Sequence, residues 1–388
     1  MKNLNFTQGQ IKTIFADIAK EKDGFNKLLK LSLNAMMEAE RKEYNNENSD
    51  VSNGFRERRI LGAGEEQIIL DVPRSRYSNF YPKLLLILNN REEEAKKIAF
   101  KLYKSGLTTE QIGEIFHELY GKYYRKSQVS RMFNYAREQV KKWLERPLEA
   151  YYPIVYIDAI FISTRRGDSV SKEAYYIVLG VKSDRTRDVL GIINYPTESS
   201  EGWKEIIGNL KQRGVKRIDL FVSDARTAIE DAISYHYSKA NIQFCAVHLG
   251  RNVLKGVKKA DRKEIAKELK EVFLTNQLDD SIAQGWQRWI KFVNKNQQKY
   301  PHIKRMTTDR YRYYFTYLKY NYKIRQMIYT TNWIERLNKD FRRATRMRGS
   351  LPSPEATILL LGGVSMDKKN YQRKVQLLDY DDNFDWEI

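Results

Sequence analysis

The order of apolar and amphipathic segments after residue 150 constrains the fold more than any other feature of the chain. Three apolar, β-branched segments follow one another with only short polar turns between them, which predicts an antiparallel meander. They read IVYIDAIFI, AYYIVLGV and DVLGIINY. Two more strands, RIDLFVSD and IQFCAVH, come next, and an amphipathic helix precedes each of them. The order strand, strand, strand, helix, strand, helix, strand indicates a mixed α/β sheet.

This order of elements is that of a ribonuclease-H-like fold, in which the first and fourth strands are parallel neighbours. We assign residues 151–254 and 326–366 to this sheet domain and residues 255–325 to a charged, helical insertion. The insertion ends in DRYRYYFTYLKYNYKIRQ, where Tyr and Phe alternate with Arg and Lys. Such a segment can stack on nucleic acid bases, or its rings can fill ordinary core positions beside solvated charges.

The part of the chain before the sheet domain divides into two regions. Residues 1–82 form a region of helix and short strands, with EYNNENSDVSNG predicted as a linker. The segment EQIILDV is predicted as a strand that Pro73 closes. After the sheet domain, residues 367–388 form an acidic tail.

Residues 83–150 have the pattern of an α-helical DNA-binding domain with a helix-turn-helix. Thr108 or Thr109 can cap the first helix of the motif, and the second starts near Lys126. The second helix presents side chains that can reach phosphates and base edges, namely Lys126, Gln128 and Arg131. A plain helical hairpin with a solvated basic face is the alternative interpretation.

The charge of the chain points to a polyanionic partner. Lys and Arg number 69 against 49 Asp and Glu, a formal charge of +20 with a pI near 9.6, which is typical of nucleic-acid binding. The basic residues are spread along the chain rather than gathered on one amphipathic helix, which argues against a membrane partner. Cys245 is the only cysteine, so an intramolecular disulfide and a multi-cysteine zinc site are excluded. We expect a cytoplasmic, nucleoid-associated protein.

Two aspartates lie where neighbouring strands of the predicted sheet end. Asp158 lies at the end of the first strand, and Asp224 lies just past the fourth. Parallel neighbours bring these ends together, and two nearby carboxylates repel each other unless a cation lies between them. Asp224 could instead cap the helix that follows it, and Asp158 could pair with Arg165 or Arg166.

Glu335 is the third candidate carboxylate. It lies in the basic segment YTTNWIERLNKDFRRATRMRG, on one helix face with Asn338 and Arg342. We assign Asn338 and Arg342, with a neighbouring stripe of Lys339, Arg343 and Arg346, to a surface that binds the DNA backbone. Asn332, three residues before Glu335, could form a capping box with it, which is the main alternative.

Three carboxylates around Mg²⁺ or Mn²⁺ suit phosphodiester chemistry, in which two ions activate the attacking oxygen and stabilise the leaving one. Cys245 and His248 form a C-x-x-H pair. With one Cys and four His in the chain, the supply of zinc ligands is thin. We expect a structural role for the pair, or a contribution of His248 near the phosphate.

The chain resembles the Mutator-type transposases of bacterial insertion sequences, which belong to the DDE group. The resemblance covers roughly residues 52–364 and rests on segments such as DVPRSRYSNFYP, VLGVKSDRTRDVLGI, CAVHLGRN and TTNWIERLNKDFRRATRMRGSLPSPEA. It implies that Asp158, Asp224 and Glu335 are the catalytic, metal-binding acids. It also implies that Cys245 and His248 are the family's C-x-x-H signature.

The activity that the resemblance implies is transposition. It includes binding to terminal inverted repeats, Mg²⁺-dependent cleavage that frees 3′-hydroxyls, and strand transfer into target DNA by a homodimer or larger assembly on paired ends. Two other functions share the charge and the helices: a DNA-binding protein derived from a transposase without catalysis, and a ribonuclease-H-like nuclease that does not join strands.

Overall fold

The computed structural model describes residues 24–61, 67–120, 124–196 and 199–375. The chain divides into two compact units at Tyr135 and Ala136, inside a helix that runs from Asn134 to Glu145. Each unit has its own core. The predicted domain limits at residues 82 and 150 stay predictions. No described helix is long and apolar enough to cross a membrane.

The first unit is built from a helix on a hairpin, followed by shorter helices. Helix α1 (Gly24–Asn48) packs on the antiparallel hairpin of β1 (Ser52–Leu61) and β2 (Gln67–Ser75). Its core contains Leu33, Met37, Ile68, Leu70, Val72 and Leu85. The prediction that EYNNENSDVSNG is a linker is therefore wrong. The first half of this segment is the end of α1, and its last residues are the start of β1. Residues 1–23 of the predicted N-terminal region lie outside the described residues.

Three helices complete this unit: α2 (Lys83–Lys104), α3 (Thr109–Tyr120) and α4 (Lys126–Met132). The predicted cap of α3 is confirmed at Thr108. The Thr108 hydroxyl accepts a hydrogen bond from the Gln111 backbone N–H at 3.2 Å, and the Gln111 side chain accepts one from the Thr108 N–H at 2.9 Å. This reciprocal pair satisfies two donors at the start of the helix. Residues 121–123, between α3 and α4, lie outside the described residues.

The second unit begins within α5 (Asn134–Glu145) and contains a five-stranded mixed sheet. Its strands are β3 (Tyr151–Arg166), β4 (Ser169–Val181), β5 (Arg187–Tyr195), β6 (Arg217–Ser223) and β7 (Asn241–Phe244). Their order across the sheet is β5-β4-β3-β6-β7. The first three strands pair antiparallel, β6 lies parallel to β3, and β7 lies parallel to β6. The predicted meander and the parallel pairing of the first and fourth strands are confirmed.

Helices connect the parallel strands and cover the sheet. Helix α6 (Ser200–Gln212) leads into β6, and α7 (Thr227–His236) leads into β7. Trp203, Ile206 and Ile207 are buried on the inner face of α6. Gly214 follows this helix with φ +107°, a conformation that glycine adopts without the strain of a Cβ.

Helices follow β7 in the region predicted as an insertion, and their buried side chains form a core beside the sheet. Helix α8 (Ala246–Lys255) leads into α9 (Arg262–Val272), α10 (Ile282–Asn296), α11 (Pro301–Arg305), a 3₁₀ helix (Asp309–Lys319) and α12 (Tyr322–Ile328). The side-chain amide of Gln243 on β7 ties the 3₁₀ helix to the sheet, donating to the Tyr314 carbonyl at 3.0 Å.

Most rings of the Tyr-rich segment lie in this core. Tyr314, Phe315, Tyr317 and Tyr320 are buried, whereas Tyr313 is partly exposed. Of the two interpretations of this segment, the structure supports core packing for the buried rings.

The chain ends with helices that return to the sheet. Helix α13 (Asn332–Thr345) packs on β3, and α14 (Pro354–Met366) packs on β3 and β5. The apolar run in α14 is explained by burial, since Leu359, Leu360 and Leu361 are almost inaccessible. The first residues of the predicted tail form a 3₁₀ helix (Lys369–Gln372), and residues 376–388 of the tail lie outside the described residues.

Candidate active site

The parallel pairing of β3 and β6 positions the two aspartates. The last paired residues of the two strands are Tyr156 and Val222. Asp158 lies two residues beyond this pair, and Asp224 directly follows β6. Asp158 is not at the end of its strand as predicted. The strand runs on to Arg166, because β4 continues to pair with it along its other edge.

Asp158 lies in a partly buried position beside other charged groups. Burial, followed by the negative charge of Asp224, raises the pKa of Asp158 to about 7. Two donors hold its carboxylate: the Ala159 N–H at 2.9 Å and the Asn338 side-chain amide at 2.6 Å. Asn338 is fully buried. Its amide therefore contacts Asp158 rather than forming part of the basic surface to which the sequence pattern assigned it.

The alternative roles of the two aspartates are not observed. Arg166 pairs with Glu173 at 2.9 Å, and no described contact joins Asp158 to Arg165. Helix α7 begins at Thr227, and Arg226 occupies the capping position that was considered for Asp224.

Glu335 lies in the first turn of α13, where its backbone N–H bonds to the carbonyl of Thr331. Its side chain does not form the capping box considered with Asn332. It accepts hydrogen bonds from Arg251 at 2.8 and 3.4 Å, and His248 Nε2 lies 3.2 Å from its Oε1. Glu335 is thus paired with cations from α8.

His248 links two of the acids. Its Nδ1 contacts the Asp224 carboxylate, and its Nε2 faces Glu335. The hydrogen bond to Asp224, with a further contribution from Cys245, raises the pKa of His248 to about 10. A protonated imidazole between two carboxylates reduces their mutual repulsion.

Cys245 holds the start of α8 against the start of α13. It is buried directly before α8, and its sulfur accepts hydrogen bonds from the backbone N–H and the hydroxyl of Thr331 at 3.3 and 3.2 Å. Ligand atoms of Asp224, Cys245 and His248 lie within 4.8 Å of one another. The sulfur already accepts two hydrogen bonds from Thr331. These contacts agree with a structural role for Cys245.

The donor atoms around Asp158 are of the type that Mg²⁺ or Mn²⁺ prefers, although the three acids are not among the described groups whose ligand atoms all lie within 4.8 Å of one another. Asp158, Asp224 and Glu335 offer hard carboxylate oxygens. The side-chain oxygen of Asn338 is buried beside Asp158 and accepts no hydrogen bond among the described residues. Burial and the charge of Asp224 raise the pKa of Asp158, and a divalent cation bound there would stabilise its charged form.

The predicted DNA contacts lie at two places. On α13, Lys339, Arg342, Arg343 and Arg346 are exposed, and within the described chain none of them forms an ion pair. In the first unit, Lys126 pairs with Glu110 at 3.0 Å. Gln128 accepts from the Arg125 N–H at 2.8 Å, which caps α4, and Arg131 is exposed.

Arg251 is a site residue that the sequence analysis missed. It follows His248 by three residues on α8, and this spacing places both side chains on one helix face. That spacing, next to a residue already suspected of lying at the site, was the available signal.

The family model "Transposase, Mutator family" matches residues 7–374 of the chain, and the chain belongs to this family. A curated relative is the transposase for insertion sequence element IS905 of Lactococcus lactis, 32% identical over 74% of this chain and 72% of the relative. A probable transposase for an ISRM3-like element of Sinorhizobium fredii is 30% identical over 86% of this chain and 82% of its own length. The transposase for element IS256 in transposon Tn4001 of Staphylococcus aureus is 27% identical over 88% and 87%.

Proposed function

We propose that the chain is a DNA transposase of an insertion sequence that binds terminal inverted repeats, cleaves DNA strands and transfers them to target DNA. Family membership supports transposition as the activity. One structural observation carries the proposed chemistry. His248 contacts the carboxylates of Asp224 and Glu335. Asn338, on the same helix as Glu335, contacts the carboxylate of Asp158, whose pKa is raised by burial and by the charges of the other two acids.

The three acids have distinct supports in this proposal. Asp158 lies on β3 and Asp224 directly follows β6, so the parallel pairing of these two strands positions both. Glu335 lies on α13, and Arg251 and His248 orient its carboxylate. Asn338 orients Asp158 from the same helix. Fixed positions matter because in-line displacement at phosphorus depends on the placement of the reacting groups.

Asp158, Asp224 and Glu335 would hold Mg²⁺ or Mn²⁺, as two ions in our proposal. When bound, such ions activate water or a 3′-hydroxyl and stabilise the charge that develops on the phosphate oxygens. The chain itself supplies the carboxylates that bind them and the exposed arginines of α13 that bind the DNA backbone. His248 keeps Asp224 and Glu335 at a fixed separation.

The sheet domain is proposed to be ribonuclease-H-like, which its mixed strand order supports. We further assign residues 83–150, with α3 and α4 as a helix-turn-helix, to binding of the inverted repeats. The supporting observations are the confirmed cap at Thr108 and the exposed Arg131 on α4. A homodimer or larger assembly would hold two ends together for strand transfer.

An in vitro assay with the ends of the encoding element tests the proposal. Labelled duplexes that carry these ends and a supercoiled target are incubated with the full chain in Mg²⁺, Mn²⁺, or EDTA. Cleavage that frees a 3′-hydroxyl, and joined products, are expected with either ion and not with EDTA. Cleavage without joining would favour the nuclease alternative. Binding of the ends without cleavage in either ion would favour the non-catalytic alternative.

A further inference from the structure

A small pocket lies where β3 meets the end of α13. Its volume is about 200 Å³, and it is open to solvent on one side. Its floor is fixed by a short pairing of the two chain segments. The Leu351 N–H donates to the Ser163 carbonyl at 2.8 Å, and the Arg165 N–H donates to the Leu351 carbonyl at 2.9 Å.

One wall of the pocket is cationic. Arg342, Arg346 and Arg348 line it, and no acidic residue does. Arg342 and Arg346 are exposed, and neither forms an ion pair with any residue in the described ranges. Two unpaired guanidinium groups beside a third arginine strongly favour an anion, and planar guanidinium groups match phosphate oxygens in particular.

The other wall contains apolar residues, one of them aromatic. Ile160, Phe161, Ile162 and Leu351 contribute to the lining; Phe161 is 52% exposed, whereas the three aliphatic residues are buried. An inorganic anion gains nothing from such a wall, and an apolar ligand gains nothing from three arginines. A nucleotide has both a flat apolar base and a phosphate, and it matches both walls.

The pocket lies close to the acids. Ile160, its first lining residue, comes two residues after Asp158 on β3, and Arg342 comes four residues after Asn338 on α13. By the rise of a strand and of a helix, these steps span about 6–7 Å. At about 3.4 Å per nucleotide along one strand of a duplex, the pocket lies within about three nucleotides of the cleaved bond.

We propose that this pocket binds one unpaired nucleotide of the DNA strand at the cleavage site, with the base against Phe161 and the phosphate on Arg342 and Arg346. The inference rests on the proposed function and deepens it by assigning a strand-binding subsite. An unpaired nucleotide is required because a base within a duplex is stacked on both faces and cannot reach an aromatic ring on a strand.

The test is a double-mutant cycle. It combines the substitution of Phe161 with the removal of single bases from the DNA. Duplexes that carry the element's ends receive one abasic residue at a time, from three nucleotides on the element side of the cleaved bond to three on the flanking side. Dissociation constants in Ca²⁺ are measured for the wild type, Phe161→Ala and the matched control Val170→Ala, an exposed apolar residue of β4 that is 48% accessible. Melting temperatures establish that all three fold.

The abasic residue should weaken wild-type binding about 5-fold or more at one position, and this penalty should disappear in Phe161→Ala. The control Val170→Ala should keep the full penalty. The side of the bond on which the penalty falls identifies the element strand or the flanking strand as the source of the nucleotide. If every position carries the same penalty in Phe161→Ala as in the wild type, the pocket does not bind a base and the proposal is wrong.

The role of the arginines is tested with two variants of α13, each of which removes one positive charge. Arg346→Gln should weaken binding. It should also reduce the penalty at the DNA position where an abasic residue weakens wild-type binding, because the phosphate no longer holds the nucleotide in place. Arg343→Gln, outside the pocket lining, should weaken binding to all the duplexes equally. Equal behaviour of the two variants would contradict the assignment.

Cleavage of the unmodified duplex in Mg²⁺ is measured with the same wild-type preparation. If the wild type cleaves but the abasic penalty does not depend on Phe161, only the proposal for the pocket is refuted. A wild type that does not cleave in Mg²⁺ or Mn²⁺ refutes the catalytic proposal, whatever the coupling shows.

Discussion

The side-chain amide of Asn338 donates a hydrogen bond of 2.6 Å to the carboxylate of Asp158, across 180 residues of sequence. This contact joins α13 to β3 at the proposed catalytic site. Because Asn338 is fully buried, its amide has no access to solvent and acts on Asp158 alone. The helix that carries Glu335 is thereby fixed to the strand that carries the first aspartate.

Replacing Asn338 by Ala should reduce both stability and cleavage. The change removes a hydrogen bond to a carboxylate and leaves Asp158 without its side-chain donor, at a cost of about 1–3 kcal/mol in the free energy of unfolding. Loss of a residue that orients a metal ligand typically lowers activity about 10- to 100-fold. Urea unfolding and single-turnover cleavage measure the two effects. Asn332→Ala, at an exposed position of the same helix, is the control, and unchanged cleavage in Asn338→Ala would contradict the positioning role.

Replacing Arg251 by Gln should lower cleavage with little effect on stability. Arg251 is half-exposed, and exposed ion pairs contribute less than about 1 kcal/mol to folding. Without its guanidinium, Glu335 loses two donors, and we expect cleavage to fall about 10- to 100-fold. Arg251→Lys keeps the charge but not the two-pronged contact, so it should restore activity in part. Wild-type cleavage by Arg251→Gln, or the same loss in the exposed neighbour Asn252→Ala, would refute this role.

The two variants Cys245→Ala and Cys245→Ser separate a structural sulfur from a metal ligand. Ala leaves two buried donors of Thr331 without an acceptor, which should cost about 1–3 kcal/mol of stability. Ser keeps an acceptor and should cost less. Thermal melting with and without EDTA, together with zinc analysis, checks both. Zinc bound at one equivalent by the wild type and lost in Cys245→Ser would show that the sulfur binds metal.

Asp50 should make the first unit sensitive to acid. Ser78 and the backbone N–H groups of Tyr77, Val51 and Arg76 hydrogen-bond to its carboxylate and lower its pKa to about 2. The ordinary value is near 3.9. Its contribution to stability is thus complete above about pH 4 and is lost as the pH falls toward 2.

Asp50→Asn should therefore melt at a lower temperature than the wild type at pH 7, and the difference should shrink between pH 4 and pH 2. Melting curves followed by circular dichroism at several pH values test this. Asp168→Asn, in the exposed turn between β3 and β4, serves as the control. A difference that stays constant down to pH 2 would show that the carboxylate charge at Asp50 is not responsible.

The sheet was the part of the fold that the sequence predicted well. Continuous apolar runs and short polar turns define β3, β4 and β5, and the alternation with helices defines the parallel strands. The wrong prediction of a linker at residues 43–54 has a physical cause. The end of α1 is polar because it faces solvent, and polarity alone does not distinguish an exposed helical turn from a loop.

The positions of the site residues were predictable only where they follow from the order of the strands in the sheet. Strand order places Asp158 and Asp224 near each other. The contact of Asn338 with Asp158 and that of Arg251 with Glu335 depend on how α13 and α8 pack, across 180 and 84 residues. Helical spacing placed Asn338 on the same face as Glu335 and Arg342, but it could not show that this face turns inward at Asn338. The catalytic roles of these residues stay predictions.

Single-turnover cleavage and end binding by Glu335→Gln test the central claim most directly, because this change keeps the shape of the side chain and removes only its charge. We expect cleavage in Mg²⁺ to be abolished while the affinity for the ends, measured in Ca²⁺, stays within a few-fold of wild type. Glu201→Gln, at an exposed position of α6, should cleave normally. If Glu335→Gln frees 3′-hydroxyls and joins strands at the wild-type rate, Glu335 is not a catalytic acid and the three-carboxylate site is wrong.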